Sequence, residues 1–294
     1  MQLSPSAHLD SFARDNLPPQ QQWPQLVFDL PELAYPARLN CAEELLEGTM
    51  SRHGANRPYL RAGDGSTWSY PELRDRANQI ARVLTEDLGL VSGNRVLLRG
   101  PNNPMLVATW FAVLRAGGVV VTTMPLLRAG ELRTICEMCR PTIALCDARF
   151  TEDLDKAAIQ GLAVVPYGGS EPDDLTARMA AKPPAFQVVP TAADDVALLA
   201  FTSGTTGKPK ATMHFHRDVL AVADTFSARV LQPGADDVFA GSPPLAFTFG
   251  LGGLVIFPLR VGASTVLLEK AAPQDLLGAV AEHQVSVLFT SPVA

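Results

Sequence analysis

Thr202, Ser203, Gly204, Thr205, Thr206, Gly207, Lys208, Pro209 and Lys210 follow directly on the apolar run Leu198-Leu199-Ala200-Phe201. Glycines let backbone amides approach an anion without Cβ obstruction, hydroxyls donate to phosphate oxygens, and lysines neutralise charge, so the composition suits a polyphosphate. The spacing is not that of the common phosphate loop. That loop has four residues between its glycines and a Ser or Thr after the lysine; here Thr205 and Thr206 alone separate Gly204 from Gly207, and Pro209 follows Lys208. A surface turn also uses glycine and threonine. Four hydroxyls, two glycines and two lysines between strand-like runs exceed what a turn requires.

The run from Thr202 to Lys210 closely resembles the phosphate-loop signature of the adenylate-forming superfamily, which includes acyl- and aryl-coenzyme A ligases, luciferases and peptide-synthetase adenylation domains. The resemblance implies that Thr202, Ser203, Gly204, Thr205, Thr206, Gly207, Lys208 and Lys210 hold the β- and γ-phosphates of ATP while a substrate carboxylate attacks the α-phosphorus. Thr205 and Lys210 are the catalytic candidates, because charge grows on the departing pyrophosphate and preplaced donors act there. The signature expects a basic residue at Lys210 and tolerates variation at Lys208. Ala211 departs from the pattern, which has glycine there; its methyl group disfavours positive φ and restricts the loop slightly.

Ser242-Pro243-Pro244-Leu245-Ala246-Phe247-Thr248-Phe249-Gly250-Leu251-Gly252 resembles the next core motif of the same superfamily. It implies an aromatic residue at the acyl pocket beside the adenylate, with Phe247 and Gly252 as the substrate-binding candidates. Taken without the upstream loop, Phe247 and Phe249 would be ordinary core at the start of a helix. His214 and His216 alternate on a strand that leads into a helix, so they face opposite sides; a structural or capping role suits both better than a shared metal. Cys136 and Cys139 share one face of a helix, but a structural zinc site would need two more ligands and no histidine lies nearby. Buried, unbridged thiols are the expectation for Cys41, Cys136, Cys139 and Cys146, with a metal or redox role for the 136/139 pair as the alternative. No metal ligand is assigned.

These residues need a scaffold that is regular from Asn40 onward. Asn40 can cap a helix with Glu43 reaching back as a capping box, and Ser69 with Glu72 repeats the device ahead of a helix carrying Leu73, Ala77, Ile80 and Leu84 on one face. Then Arg95–Leu98 is strand-like, Pro104–Leu114 helix-like, Val119–Thr122 strand-like, Glu131–Cys139 helix-like and Thr142–Cys146 strand-like. Short apolar strands between helices imply parallel sheets covered on both faces. A polar, proline-bearing stretch from Gly168 to Pro190 interrupts the rhythm, which resumes at Val196–Phe201 and runs to Val285–Thr290. The predicted fold is α/β: two stacked, layered α/β subdomains with mostly parallel sheets, at 40–178 and 179–294, the second incomplete and carrying the loop, behind a proline- and glutamine-rich arm at 1–39. Leu114-Arg115-Ala116-Gly117-Gly118 echoes Leu259-Arg260-Val261-Gly262-Ala263; a true repeat and the general likeness of helix-to-strand junctions explain this equally well.

Composition removes several function classes. With 294 residues and 47% hydrophobic content the chain is long enough to bury substantial cores, and a formal charge of −6 disfavours nucleic acid and anionic membrane as partners. The apolar stretches Met105–Leu127 and Leu245–Leu268 each carry a central arginine, Arg115 or Arg260, costing roughly 2.5–3.5 kcal/mol at a bilayer centre. A buried helix followed by a buried strand is the expectation for both. The first twenty residues do not read as a secretion signal, so a cytoplasmic protein with reduced thiols is expected.

The segments Trp68-Ser69-Tyr70-Pro71-Glu72-Leu73 and Ala112 to Val121 resemble the superfamily's first two core segments, so the likeness runs from about residue 40 to the end. The arm, with AHLDSFARDNLPP, WPQLVFDLPEL and YPARLN, looks most like the benzoate and 2-aminobenzoate branch of coenzyme A ligases. What this implies is an AMP-forming ligase that activates an aromatic acid as its acyl-adenylate and transfers it to coenzyme A, using ATP, Mg2+ and coenzyme A. A homodimer is compatible with it. The alternatives are an adenylate-forming ligase that serves a carrier protein and a nucleotide-binding fragment without turnover. Superfamily members continue with an acidic magnesium motif, a ribose-binding aspartate, a hinge and a small domain with a catalytic lysine. The chain stops at Ser291-Pro292-Val293-Ala294 after an apolar strand, so a truncated, inactive fragment is expected.

Overall fold

Capped helices and short apolar strands alternate along the chain, and a computed structural model shows how they assemble for residues 3–202 and 209–291. In chain order the strands are β1 (Pro58–Ala62), β2 (Thr67–Ser69), β3 (Arg95–Arg99), β4 (Val119–Thr123), β5 (Ile143–Asp147) and β6 (Ala163–Tyr167). They continue with β7 (Val196–Thr202), β8 (Lys210–Phe215), β9 (Val238–Gly241), β10 (Ser264–Leu267) and β11 (Val287–Phe289). One sheet has the order β6-β5-β3-β4-β7-β8 and the other β11-β9-β10-β1-β2. Pairing is parallel except at two edges, where β8 runs against β7 and β2 against β1. The strands β3 and β5 are buried at every position, as strands covered on both faces should be.

The division in sequence is not the division in space. Strands β7 and β8, after the polar stretch, complete the first sheet beside β4, with Val120 opposite Leu198, while β1 and β2, before it, join the second sheet through the pairing of Leu60 with Thr265. The expected boundary between 40–178 and 179–294 is corrected accordingly. Sequential strands usually pair, and here the early hairpin finds its partner some two hundred residues later.

The helix Pro104–Arg115 packs on β3 and β4 of the first sheet and on β1 of the second, and is buried along nearly its whole length. A helix apolar on all sides belongs in such a position. The Asn103 side chain caps it by accepting the Leu106 N–H at 2.9 Å. Ser69 and Glu72 form the predicted capping box on the helix Tyr70–Arg82, and Leu73, Ala77, Ile80 and Leu84 are all buried. Asn40 also caps, accepting the Ala42 N–H at 3.1 Å, but Glu43 does not close a box. The Asn40 Oδ1 takes the Ala42 N–H rather than that of Glu43, so the reciprocal pair of a box is not made, and its amide donates to the carbonyls of Leu114 at 2.8 Å and Val189 at 3.1 Å.

Of the two arginines in the apolar stretches Arg115 is buried and Arg260 partly buried, and both are paired. Arg115 donates to Asn78 at 2.6 Å and to both oxygens of Glu47, and Arg260 to both oxygens of Asp224 and to Glu44. No helix among the described residues is long and apolar enough to cross a membrane. The four cysteines are buried and free, and no group of three or more His, Cys, Asp or Glu among the described residues could hold a metal ion. Burial pushes the Cys136 thiol up to about 11 and Cys139 to about 12, so neither is poised as a thiolate.

Candidate active site

The β7–β8 hairpin organises the site. Its antiparallel register sets Thr202 opposite Lys210, so the chain leaves and re-enters the sheet edge at neighbouring points, and both residues are exposed. Ser203, Gly204, Thr205, Thr206, Gly207 and Lys208 lie outside the described residues. The stem is fixed from behind: Ser4 N–H donates to Asp194, Ser6 and Ala7 to Asp195, and Arg14 reaches Asp195 at 3.1 Å, which ties the N-terminal arm to the segment just ahead of β7.

Two clefts flank the hairpin. One, of about 530 Å³, contains Thr202 and Pro209 at the loop's ends, Phe247, and Thr122 to Met124 from the end of β4. The other, of about 470 Å³, is walled by Leu198 of β7, His214 of β8 and four phenylalanines, Phe226, Phe249, Phe257 and Phe289. Ring centroids there stand 5.5 Å apart for Phe249–Phe289, 6.0 Å for Phe257–Phe289 and 5.9 Å for Phe226–Phe257. These separations and tilts are those of favourable aromatic pairs. Gly252 lies on this ring-lined cleft, whereas Phe247 lies on the other. The structure therefore groups Phe247 with Thr202 and puts Phe249 beside Gly252.

The segment that presents both phenylalanines is held rigidly. Buried Asn102 donates to the Pro243 carbonyl at 3.0 Å and accepts the Leu245 N–H at 2.8 Å. A Cβ on Gly250 would stand 2.2 Å from the Pro244 carbonyl oxygen, so only glycine lets the helix start turn this tightly over the proline pair.

With this geometry in view, comparison with known proteins is decisive at the level of family. The family described as "AMP-binding enzyme" matches residues 46–294. The chain belongs to that family. A benzoate–CoA ligase of Thauera aromatica is 28% identical over 269 residues, covering 89% of this chain and 50% of that protein. A solved anthranilate CoA ligase in complex with anthranoyl-AMP superposes with a TM-score of 0.81 at 25% identity, covering 88% of this chain and 51% of that one. ATP-bound MatB from Rhodopseudomonas palustris does so with a TM-score of 0.74 at 27% identity, covering 85% and 49%. The chain thus spans about half the length of the relatives it matches.

The two histidines separate as their alternation requires. His216 is fully buried; its Nδ1 accepts the Cys41 N–H at 3.2 Å, and burial, with His8 nearby, lowers its pKa to about 3. It fastens the helix Cys41–Glu43 to the end of β8. His214 faces the ring-lined cleft instead, with Nε2 3.0 Å from Thr212 Oγ1, and burial lowers its pKa. Asp218 shares that cleft and caps the helix His216–Val222 by accepting the Phe215 N–H at 2.9 Å. Neither His214 nor Asp218 was assigned a ligand role from sequence, because a cleft contributed by two strands and a distant helix leaves no local spacing to detect.

Proposed function

We propose that the protein is an aryl-acid ligase that activates a benzoate- or 2-aminobenzoate-type acid with ATP and transfers the acyl group to coenzyme A. The observation that carries this reading is that one hairpin does two things: its tip is the hydroxyl-, glycine- and lysine-rich segment, and its strands wall a cleft lined by four phenylalanine rings. Apolar aromatic walls with few polar groups suit a flat ring. In this reading the ring of an aromatic acid occupies that cleft with its carboxylate toward the loop.

In this reading Thr202, Ser203, Gly204, Thr205, Thr206, Gly207 and Lys208 cradle the β- and γ-phosphates, and Lys210 meets the charge that develops as pyrophosphate leaves. Phe249 and Gly252 take the ring, while Phe247 stands by the loop's mouth. The carboxylate oxygen attacks the α-phosphorus, the bond to the β-phosphate oxygen breaks, and the acyl carbon of the resulting adenylate is then attacked by the coenzyme A thiol with release of AMP. Among the described residues no group of three or more His, Cys, Asp or Glu could hold Mg2+. The test is to supply the complete gene product with ATP, magnesium, benzoate and coenzyme A and to follow AMP and thioester together. Equimolar AMP and benzoyl thioester are expected; AMP without thioester, or neither product with any aromatic acid, overturns the assignment. The 294-residue chain alone is expected to form no thioester, because it spans about half the length of the relatives it matches and holding all reacting groups in orientation is worth roughly 7–11 kcal/mol of barrier.

A further inference from the structure

The ring-lined cleft contains very few polar side chains: His214, Asp218 and Thr248 stand among phenylalanines and aliphatic groups. Their hydrogen-bond character can be read from their other partners. Thr212 Oγ1 donates to the Ala200 carbonyl at 3.2 Å, so toward His214 Nε2, 3.0 Å away, it accepts. A neutral His214 therefore carries its proton on Nε2, an assignment made from the network, and Nδ1 keeps a bare lone pair. Burial favours this neutral ring. Asp218 Oδ2 accepts the Phe215 N–H, and Oδ1 has Arg217 Nε at 3.9 Å, beyond hydrogen-bond reach. Burial holds the Asp218 carboxyl above its ordinary value, the Phe215 amide, the Arg217 charge and neighbouring His214 offsetting part of that rise. The cleft thus offers a carboxylate oxygen and an imidazole nitrogen, both acceptors, in otherwise apolar surroundings.

We propose that His214 and Asp218 determine specificity by receiving the two N–H donors of a ring amino group, which makes an aminoarenecarboxylic acid the preferred substrate of this cleft. The proposal rests on the aryl-acid reading above. A ring hydroxyl has one donor and would leave one acceptor unpaired; a methyl group of nearly the same size would leave both. A site built to hydrogen-bond a substrate rejects the analogue that lacks the donor far more strongly than an apolar pocket rejects a change in size.

The experiment measures ATP–pyrophosphate exchange by the complete gene product with benzoate and with the amino-, hydroxy- and methylbenzoates of each ring position. One aminobenzoate is expected to exceed its methyl isostere in kcat/KM by on the order of 10²-fold, mainly through KM. Asp218→Asn keeps an oxygen for the Phe215 N–H but presents an N–H donor in place of the second acceptor, so it should lower the amino compound more than the methyl one and narrow that ratio to within about tenfold. A purely structural role for Asp218 would lower both alike. Activity with benzoates but no amino-over-methyl preference in the unmodified protein overturns the proposal and leaves the aryl-acid reading standing. A hydroxybenzoate preferred over every aminobenzoate overturns the amine assignment, and no exchange with any arenecarboxylic acid overturns both readings.

Discussion

Phe247 and Phe249 stand two residues apart at a helix start and face different clefts. Their exposures, 40% and 50%, do not tell them apart; their neighbours do. Phe249 joins the rings of Phe289, Phe257 and Phe226, so Phe249→Ala should raise KM for an aromatic acid by about tenfold or more while leaving the ATP constant nearly unchanged. Steady-state kinetics with each substrate varied in turn will check this, and Phe247→Ala should move the acid constant less. If Phe247 rather than Phe249 controls acid choice, the ring-lined cleft is not the acyl site. Lys210 sits at the foot of the loop, exposed and opposite Thr202. Lys210→Ala should slow pyrophosphate exchange at saturating acid by on the order of 10²-fold, since the lysine would meet charge present only as the leaving group departs; an unchanged rate removes it from the mechanism. The loop stands out in the sequence because its hydroxyls, glycines and lysines are consecutive residues. The partition of the two phenylalanines does not, because it depends on Phe289 and Phe226, which only the fold brings beside Phe249.

Helix and strand limits were readable for a related reason: fully buried strands such as β3 and β5, and caps such as Ser69 with Glu72, announce themselves locally. Asn40 illustrates what local reading leaves out. Its cap resembles that at Ser69, yet its amide also holds the carbonyls of Leu114 and Val189, groups 74 and 149 residues away. The two caps should therefore differ in worth. Ser69→Ala should cost about 1 kcal/mol, as an exposed cap does, whereas Asn40→Ala, which also removes one of the two hydrogen bonds that the Leu114 and Val189 carbonyls each accept, should cost about 2–3 kcal/mol. Urea denaturation of the two variants side by side will show whether the second loss exceeds the first; equal losses would mean that the amide contacts of Asn40 contribute nothing.

Across the whole molecule the arm, the helix at Cys41–Glu43 and the β7–β8 hairpin converge on buried His216 and Asp195 and on partly buried His8. Unfolded, His216 takes its proton near 6.5; folded, burial holds its pKa to about 3. Between those values the unfolded chain binds the extra proton, so stability is full above the unfolded pKa and falls as pH drops toward the folded one, by up to roughly 1.4 kcal/mol per pH unit. Urea midpoints taken from neutral pH into acid should show this fall, and His216→Asn, which has no proton to gain, should flatten it. Such convergence was hidden in the sequence for the same reason as the sheet order: the polar stretch at 168–190 reads as a boundary, yet strands from both of its sides complete each sheet. If this fold presents an aromatic acid to the phosphates of ATP, ATP–pyrophosphate exchange must depend on that acid. The complete gene product should exchange label readily when an aromatic carboxylic acid is present and far more weakly with aliphatic acids of similar length; exchange without any acid preference, or none with any aromatic acid, would rule this presentation out.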